Sequence, residues 1–130
     1  MSQLIVVPIS PGELIDKITI LQIKSERMSD PAKLANVRTE LGLLEQTWRE
    51  SAYADADVAK EWAELRRINE KLWDIEDRLR DKERAKTFDQ EFIELARAVY
   101  FTNDDRAAVK RTINTKLGSN IVEEKSYAKY

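Results

Sequence analysis

The stretch that most constrains the fold runs from residue 56 to residue 86 and contains neither Gly nor Pro. It is rich in Ala, Leu, Glu, Lys and Arg, which lose little side-chain freedom in a helix. From Val58 to Leu79, apolar residues recur at steps of three and four, the spacing of one helix face, and Asp55 or Asp57 is placed to cap the start. A helix of this length would span about 45 Å, so other helices must pack alongside it. The pattern predicts an all-α bundle with one long central helix.

Two Pro-containing motifs predict the first two helices. In each, a residue that favours the N-cap, Ser10 or Asp30, precedes a Pro at the first helical position. The predicted helices cover about residues 11–28 and 31–50, and their short connection indicates an antiparallel hairpin. The first is apolar around more than half of its circumference, which indicates burial on several sides, either near the centre of the bundle or in an oligomer interface. Gly42 interrupts the second at a cost of about 1 kcal/mol relative to Ala, which a close helix crossing would offset.

The rest of the chain predicts one or two further helices. A capping box at residues 87–90 starts a fourth helix that runs to about Phe101, and residues 102–105 have the composition of a cap for a fifth. Gly118 supplies the C-terminal stop. We therefore expect a single helical domain, residues 1–130, made of four or five helices.

The two ends of the chain carry the candidates for extended structure. Residues 3–9 are apolar and β-branched, and Pro8 and Pro11 separate them from any helix. Ile121 and Val122 are similar candidates beyond the C-terminal stop. Because buried extended backbone needs hydrogen-bond partners, we expect the N-terminal arm to pack on the domain near the tail. Minor β pairing of the termini would occur within one chain or across a dimer, and the tail glutamates would pair with basic residues of the last helix.

The missing residue types exclude several classes of function. The chain has no Cys, which excludes disulfides, Cys-based zinc sites, iron–sulfur clusters and thiol nucleophiles. It has no His, which excludes a Ser–His–Asp triad and removes the commonest general base. Its three glycines form no Gly-rich loop that would hold a nucleotide phosphate. No cofactor is expected.

The net charge and the hydropathy of the chain narrow the classes of partner and the cellular location that we expect. The net charge of −2 provides no basic field for nucleic acid. No segment approaches the roughly 20 consecutive apolar residues of a membrane span, and the start lacks the features of a signal peptide. We expect a cytoplasmic protein with no nucleic-acid partner and no membrane partner.

The strongest candidate for a binding site is a basic face on the last predicted helix. Arg106, Lys110 and Asn114 recur every four residues and share one face, where they could hold a phosphate or a carboxylate. The alternative is a solvated face that pairs with Glu123 and Glu124. The candidate ligand-binding residues are Asn103, Arg106, Lys110, Arg111 and Asn114.

Acidic residues offer two further candidates. Asp104, Asp105, Glu123 and Glu124 carry the oxygen ligands that Mg²⁺ and Ca²⁺ prefer, but they lack the order and spacing of an EF-hand. Capping and solvation explain them better, and the two aspartates at a helix start also oppose a bound anion. Asp16, on the apolar first helix, is either a perturbed carboxylate with a role or a residue that is solvated or paired. No metal site and no catalytic residue is predicted.

Three motifs carry a resemblance to known proteins: SPGELIDKITIL at residues 10–21, NDDRAAVKRTIN at residues 103–114 and EEKSY at residues 123–127. Together they resemble an uncharacterised family of small bacterial proteins, which implies a helical bacterial protein and carries no activity. Residues 15–27 also resemble the first helix of the small all-helical chorismate mutases, whose long first helix brings further Arg and Lys residues into the active site. Here a Pro-containing break ends the helix early, so this match covers one short helix.

These observations favour a non-enzymatic helical interaction or assembly protein. The apolar first helix and the length of the third leave apolar surface that a homo-oligomer would bury. The alternative is a small anionic-ligand binder, or an enzyme, that uses the basic face near Arg106, Lys110 and Arg111. Whether that face lines a concave pocket or stands in water distinguishes the two.

Overall fold

The computed structural model describes residues 4–130, in which four α-helices follow one another. α1 spans Pro11–Arg27, α2 spans Pro31–Arg49, α3 spans Ala59–Arg84 and α4 spans Gln90–Lys116. No strand occurs in this part of the chain. None of these four helices is both long enough and apolar enough to cross a membrane. The predicted all-α class is confirmed.

Several helix ends lie where the local sequence places them. Ser10 Oγ accepts a hydrogen bond of 3.2 Å from the Glu13 N–H, and the Asp30 carboxylate accepts from two N–H groups in the first turn of α2. Each cap is followed by a Pro, whose missing N–H is not needed at the first helical position. Gly118 has a φ of 66°, the left-handed conformation that ends a helix. The predicted starts of α1 and α2 and the predicted stop are confirmed.

The start of α3 differs from the prediction. Its N-cap is Val58, which makes no side-chain cap hydrogen bond, and neither Asp55 nor Asp57 takes this role. Val58 is buried in the main core with Leu65 and Ile113. Burial of an apolar side chain, and not a polar cap, therefore sets where this helix begins.

The predicted fourth and fifth helices are one helix, α4. Residues 102–105, expected to cap a fifth helix, lie inside it, and the Thr102 side chain is buried. No Gly or Pro interrupts residues 90–116, and packing against α3 outweighs the weak preference of these polar residues for a cap. α4 has 27 residues and α3 has 26, so α3 is not the longest helix of the described chain.

α1 lies at the centre of the bundle, which is one of the two positions predicted for it, whereas the long α3 does not take the central place that was also predicted. α1 packs against α2, α3 and α4, while α3 and α4 pack as an antiparallel pair. Trp48 at the end of α2 meets Trp62 of α3 edge-on, with ring centroids 5.3 Å apart. The main core consists of Ile15, Val58, Leu65, Val109 and Ile113.

α2 is the outer helix. Within the described chain its backbone lies close to α1 only, and Val37 is its one buried residue. Gly42 has no heavy atom within 4 Å of the place where a Cβ would stand. The close crossing suggested for this glycine is therefore not found in residues 4–130.

The α3–α4 hairpin extends past the end of α1. Arg27, the last residue of α1, pairs with Asp74 at 2.5 Å. From there α3 continues to Arg84, about 15 Å farther at roughly 1.5 Å per residue. Lys82 pairs with Asp89 at 2.8 Å near the tip of the hairpin. The outer end of the hairpin is thus built from two helices alone.

The N-terminal arm, residues 4–9, does not pack on the domain as predicted. Ile5 and Val6 are 91% and 90% exposed, and no backbone hydrogen bond in the described chain involves the arm. The predicted β pairing of the termini is absent there too; Gln3, also part of that prediction, lies outside the described residues. Pro8 cannot donate to a ladder, and a lone two-stranded pair is marginal in water, so pairing within one chain gains too little.

The tail, residues 119–130, lies along α4. Glu123 pairs with Lys110 at 2.8 Å, and Glu124 pairs with Arg111 at 3.1 Å, which confirms the predicted pairing of these glutamates. The apolar tail side chains are exposed. Charge pairs therefore hold this part of the tail more than apolar burial does.

Candidate functional site

The first turn of α1 lies directly against the backbone of α4. The Gly12 N–H donates a buried hydrogen bond of 2.8 Å to Asn114 Oδ1. A Cβ on Gly12 would stand 2.6 Å from the backbone oxygen of Lys110, which is closer than real Cβ contacts come. Because only Gly lacks a Cβ, it alone allows this approach. The contact brings the acidic residues of α1 up to the cations of α4.

Asp16 is a buried carboxylate held between helices. Its residue is 1% exposed. Asp16 Oδ1 accepts hydrogen bonds from Arg106 Nε and Asn69 Nδ2, both at 2.9 Å, and Oδ2 accepts from Arg106 Nη2. Such two-pronged Arg–carboxylate pairs are among the stronger side-chain contacts. The hydrogen bond to Asp16 raises the pKa of Arg106 above its ordinary value.

Asn69 connects this pair to α3. Its side-chain nitrogen also donates to Thr19 Oγ1 at 2.9 Å, and the Thr19 hydroxyl donates to the backbone oxygen of Asp16 at 2.8 Å. Both Asn69 and Thr19 are buried. The Asp16 side chain therefore joins α1, α3 and α4 at one point.

Lys110 is a second cation of α4 at this contact, and it is buried whereas Arg106 is half-buried. Its Nζ lies 2.6 Å from Glu13 Oε2, 2.8 Å from Glu123 Oε2 and 4.0 Å from Asp16 Oδ2. Burial lowers the pKa of Lys110, but the hydrogen bonds to Glu123 and Glu13 raise it more, so the net shift is upward. The hydrogen bond from Lys110 lowers the pKa of Glu123. Lys110 thus ties both α1 and the tail to α4.

Five charged residues form what we call the ionic cluster: Glu13, Asp16, Arg106, Lys110 and Glu123. Its three carboxylates outnumber its two cations by one, so the cluster has no net positive charge to attract an anion. Every carboxylate in it already contacts a cation, which leaves no free acid or base. In the described chain no group of three or more acidic side chains is placed to hold a metal ion.

The ionic cluster unites the three motifs noted in the sequence. Glu13 and Asp16 belong to SPGELIDKITIL, Arg106 and Lys110 to NDDRAAVKRTIN, and Glu123 to EEKSY. The contacts that join these residues are the ones described above, so the motifs meet in space although they lie at opposite ends of the chain.

Among the comparisons with known proteins, one match to a family model covers almost the whole chain. A model described as "Family of unknown function (DUF6165)" matches residues 5–130. The chain belongs to DUF6165. No curated protein and no solved structure matches it. Membership in DUF6165 agrees with the predicted relationship to an uncharacterised family, while the bacterial origin and the likeness to chorismate mutases stay predictions.

The structure brings three of the five predicted ligand-binding residues of this DUF6165 chain together. Arg106 and Lys110 belong to the ionic cluster, and Asn114 accepts a hydrogen bond from α1 beside it. Arg111 lies outside the cluster, where it pairs with the tail. Asn103 is not part of the cluster, but it lines the same cleft as Arg106. Their role in ligand binding stays a prediction, but Arg106, Lys110 and Arg111 already have partners within the chain.

Several residues of the site were not predicted from the sequence: Asn69 and Gly12, together with Glu13 and Thr19. Asn69 follows Leu65 by four residues and precedes Leu72 by three, so it places a polar side chain on the apolar face of α3. That interruption is a usable signal. Gly12 carries no such signal, because its decisive contact is with the backbone of Lys110, far along the chain.

Two cavities border the ionic cluster. A cleft of about 450 Å³ opens between α1, α3 and α4, and Arg106 and Asn69 stand in its wall. A cavity of about 300 Å³ lies between α4 and the tail, over Lys110 and Arg111. The basic face therefore borders concave surface. The rest of the larger cleft is lined by Ile20, Ile23, Leu72, Trp73, Glu76, Asp77, Arg80 and Asn103.

Proposed function

We propose that this DUF6165 chain is a single-domain, non-enzymatic helical assembly module that works as a homo-oligomer. The observation that carries the proposal is the N-terminal arm, whose Leu4, Ile5, Val6 and Val7 side chains stand in solvent. Fully burying one such side chain contributes about 1.5–3 kcal/mol. A partner surface that covers the arm would gain several contributions of this size. A second copy of the chain is always available as that partner.

The ionic cluster supports a structural role over a catalytic one. Acid–base catalysis needs a group that can reach a substrate proton. The Asp16 oxygens are occupied by Arg106 and Asn69, and Lys110 is occupied by two glutamates. Breaking a buried pair of this kind leaves an uncompensated charge. The cluster therefore suits a part that fixes α1 and the tail on α4.

Light scattering coupled to size-exclusion chromatography tests the proposal. We expect a mass above that of the 15.1 kDa monomer, falling toward it on dilution. Deleting residues 4–9 should favour the monomer while far-UV circular dichroism stays helical, because the described arm makes no backbone hydrogen bond and its apolar side chains are exposed. A mass of 15.1 kDa at every concentration would refute the assembly proposal.

A second candidate function is binding of a small anionic ligand, or catalysis on one, at the basic face near Arg106, Lys110 and Arg111. One observation favours it: Glu123 and Glu124 place carboxylates on Lys110 and Arg111, beside a cavity of about 300 Å³. An incoming phosphate or carboxylate that displaced the tail would make the same contacts.

Inorganic phosphate separates the two candidates. The double variant Glu123→Gln/Glu124→Gln removes the tail carboxylates from Lys110 and Arg111 and leaves Glu13 on Lys110, so an anion site predicts a saturable rise of its Tm with phosphate. Adding Lys110→Gln to that variant should then remove the rise. The assembly proposal predicts no saturable change in either protein, with sodium chloride at equal ionic strength as the control for screening.

We further infer that the protein acts in the bacterial cytoplasm. The support is the resemblance of its three motifs to small bacterial proteins. Fractionation of bacterial cells, followed by detection of the chain with a specific antibody, tests this location; recovery with the membrane or outside the cell would contradict it.

A further inference from the structure

We propose that the N-terminal arm of one copy binds along the open end of the α3–α4 groove of a second copy, and that the two copies exchange arms reciprocally. This inference rests on the proposed homo-oligomer and names the two surfaces that form it.

The proposed binding surface continues the seat of α1. On α4, Phe92, Ala96, Val99, Asn103 and Arg106 follow one another at steps of four, three, four and three. Such steps keep side chains on one helix face. Arg106 lies beneath α1, where it binds an α1 carboxylate. The face that receives α1 therefore continues toward the tip of the hairpin, where the described part of α1 no longer covers it.

One cavity lies beside the end of α1, which contributes Ile20 and Ile23 to its wall, and a second lies along the uncovered part. The one beside the ionic cluster measures about 450 Å³, the one nearer the tip about 370 Å³, and Arg80 borders both. Apolar side chains make up much of their walls. We call this surface the distal groove and define it by Leu72, Trp73, Leu79, Phe92, Ala96 and Val99.

The arm matches the distal groove in length and in charge. Six extended residues span about 20 Å. From Asn69 to Glu83, α3 covers about 21 Å at roughly 1.5 Å per residue. Residues 4–9 carry no charged side chain, so the arm would bring no unpaired charge into the groove.

The rim of the distal groove supplies the polar contacts that extended backbone needs. Buried N–H and C=O groups must find partners. Asn103 offers a side-chain amide at the rim, and Glu76, Asp77 and Arg80 offer further donors and acceptors. The amide nitrogen of Asn69 is already bonded to Asp16 and Thr19. An apolar floor with a rim of this kind fits an apolar segment in extended form.

The arm of the same chain cannot lie along the distal groove. The path along α1 from Ser10 to Ile23 is about 20 Å long, which is the full reach of six extended residues. The arm of the same chain would end where the groove begins. A second copy has no such limit, and a reciprocal exchange about a two-fold axis closes the assembly as a dimer.

Introduced cysteines test the contact without background, because the chain contains no Cys. Val6→Cys protein mixed with Ala96→Cys protein and oxidised should give a disulfide-linked dimer with one chain of each kind. The matched control mixes Val6→Cys protein with Leu43→Cys protein, whose substitution lies on an exposed position of α2. The control should stay unlinked.

Each other result of cross-linking overturns the exchange. A chain carrying both Val6→Cys and Ala96→Cys should link to a second chain; an internal disulfide in a monomer would contradict the exchange. Val6→Cys linking only to itself would indicate pairing of two arms instead. A dimer in light scattering without the Val6→Cys to Ala96→Cys link overturns this inference alone. A monomer at every concentration refutes the proposed homo-oligomer as well.

Charge substitutions give a second test that folding does not confound. Val6→Asp should raise the dissociation constant of the dimer by about tenfold or more, because a carboxylate would have to be buried. Ala96→Arg should do the same, whereas Ala63→Arg, at an exposed position of α3, should not. Far-UV circular dichroism and Tm check that each variant folds. An unchanged dissociation constant for Val6→Asp would overturn the proposal.

Discussion

The first turn of α1 and the middle of α2 both contain a glycine, and the surroundings of the two glycines are opposite. A Cβ on Gly12 would meet the backbone of α4 at 2.6 Å, whereas a Cβ on Gly42 would meet nothing within 4 Å. Both helices start with a cap and a Pro and are equally clear in the sequence. The difference arises because α1 is enclosed by the other three helices, while the backbone of α2 lies close to α1 only within the described chain.

The charged residues of the two helices repeat this contrast. Asp16 of α1 is 1% exposed and bonded to two helices, whereas Glu40 of α2 is exposed. The same local sequence rules predict both α1 and α2, but the free energy of unfolding should depend far more on α1 than on α2. Substitutions in α1 should therefore change the stability more than comparable substitutions in α2.

The largest separation is expected between Asp16→Ala and Glu40→Ala. Removing Asp16 leaves the half-buried Arg106 guanidinium without its carboxylate. Breaking a fully buried pair costs about 3–5 kcal/mol of unfolding free energy, and because Arg106 keeps some access to water we expect a loss near the lower end of that range. Glu40→Ala should change it by less than about 0.5 kcal/mol. Urea denaturation of both variants measures the difference. Similar losses would contradict the view that α1 is enclosed and α2 is peripheral.

The next effect in size is that of Gly12→Ala. Its new methyl group would overlap the Lys110 carbonyl, and forcing extra atoms into a packed site typically costs about 1–3 kcal/mol. The hydrogen bond from Gly12 to Asn114 should lengthen as α1 moves away. Thermal and urea denaturation give the loss. A Gly12→Ala protein as stable as the wild type would mean that α1 can shift from α4 at little cost.

Gly42→Ala should have the opposite sign. The position is helical and has open space around it, so Ala reduces the freedom of the unfolded chain without strain. The expected gain is about 0.4–1 kcal/mol. The same denaturation series, run beside Gly12→Ala, measures it. A loss of stability would show that a surface absent from the single chain packs on α2.

The smallest effect concerns the attachment of the tail. The pKa of Glu123 is lowered from an ordinary value of 4.5 by Lys110, so its stabilising contribution is present above that pH and is lost as pH falls through the folded-state pKa. Because the Glu123 side chain is 51% exposed, Glu123→Gln should cost about 0–1 kcal/mol at neutral pH. The difference from wild type should shrink below pH 4.5 in urea denaturation; Glu124→Gln, in a more exposed pair, is the control. If the stability difference between wild type and Glu123→Gln did not change with pH, the attachment of the tail by the Glu123–Lys110 pair would be contradicted.

Caps and spacing predicted those parts of the fold whose causes are local. Ser10, Asp30 and Gly118 act within a few residues of themselves, and each one begins or ends a helix as predicted. The three- and four-residue spacing of apolar side chains likewise depends on one helix alone. The pairing of the tail glutamates was also predictable, because long charged side chains beyond the helix stop had basic residues of the last helix as partners.

Long-range packing decided the rest. Residues 102–105 could cap a helix, but the packing of α4 on α3 keeps them inside one. Asp16 could have been solvated or paired, and its partner Arg106 lies 90 residues away, so no local pattern identifies the pair. Gly12 is required only because α4 passes close to it. The cost of burying a charge, or of adding a Cβ at a glycine, depends on the residues that face it. These facing residues come together only when the helices pack.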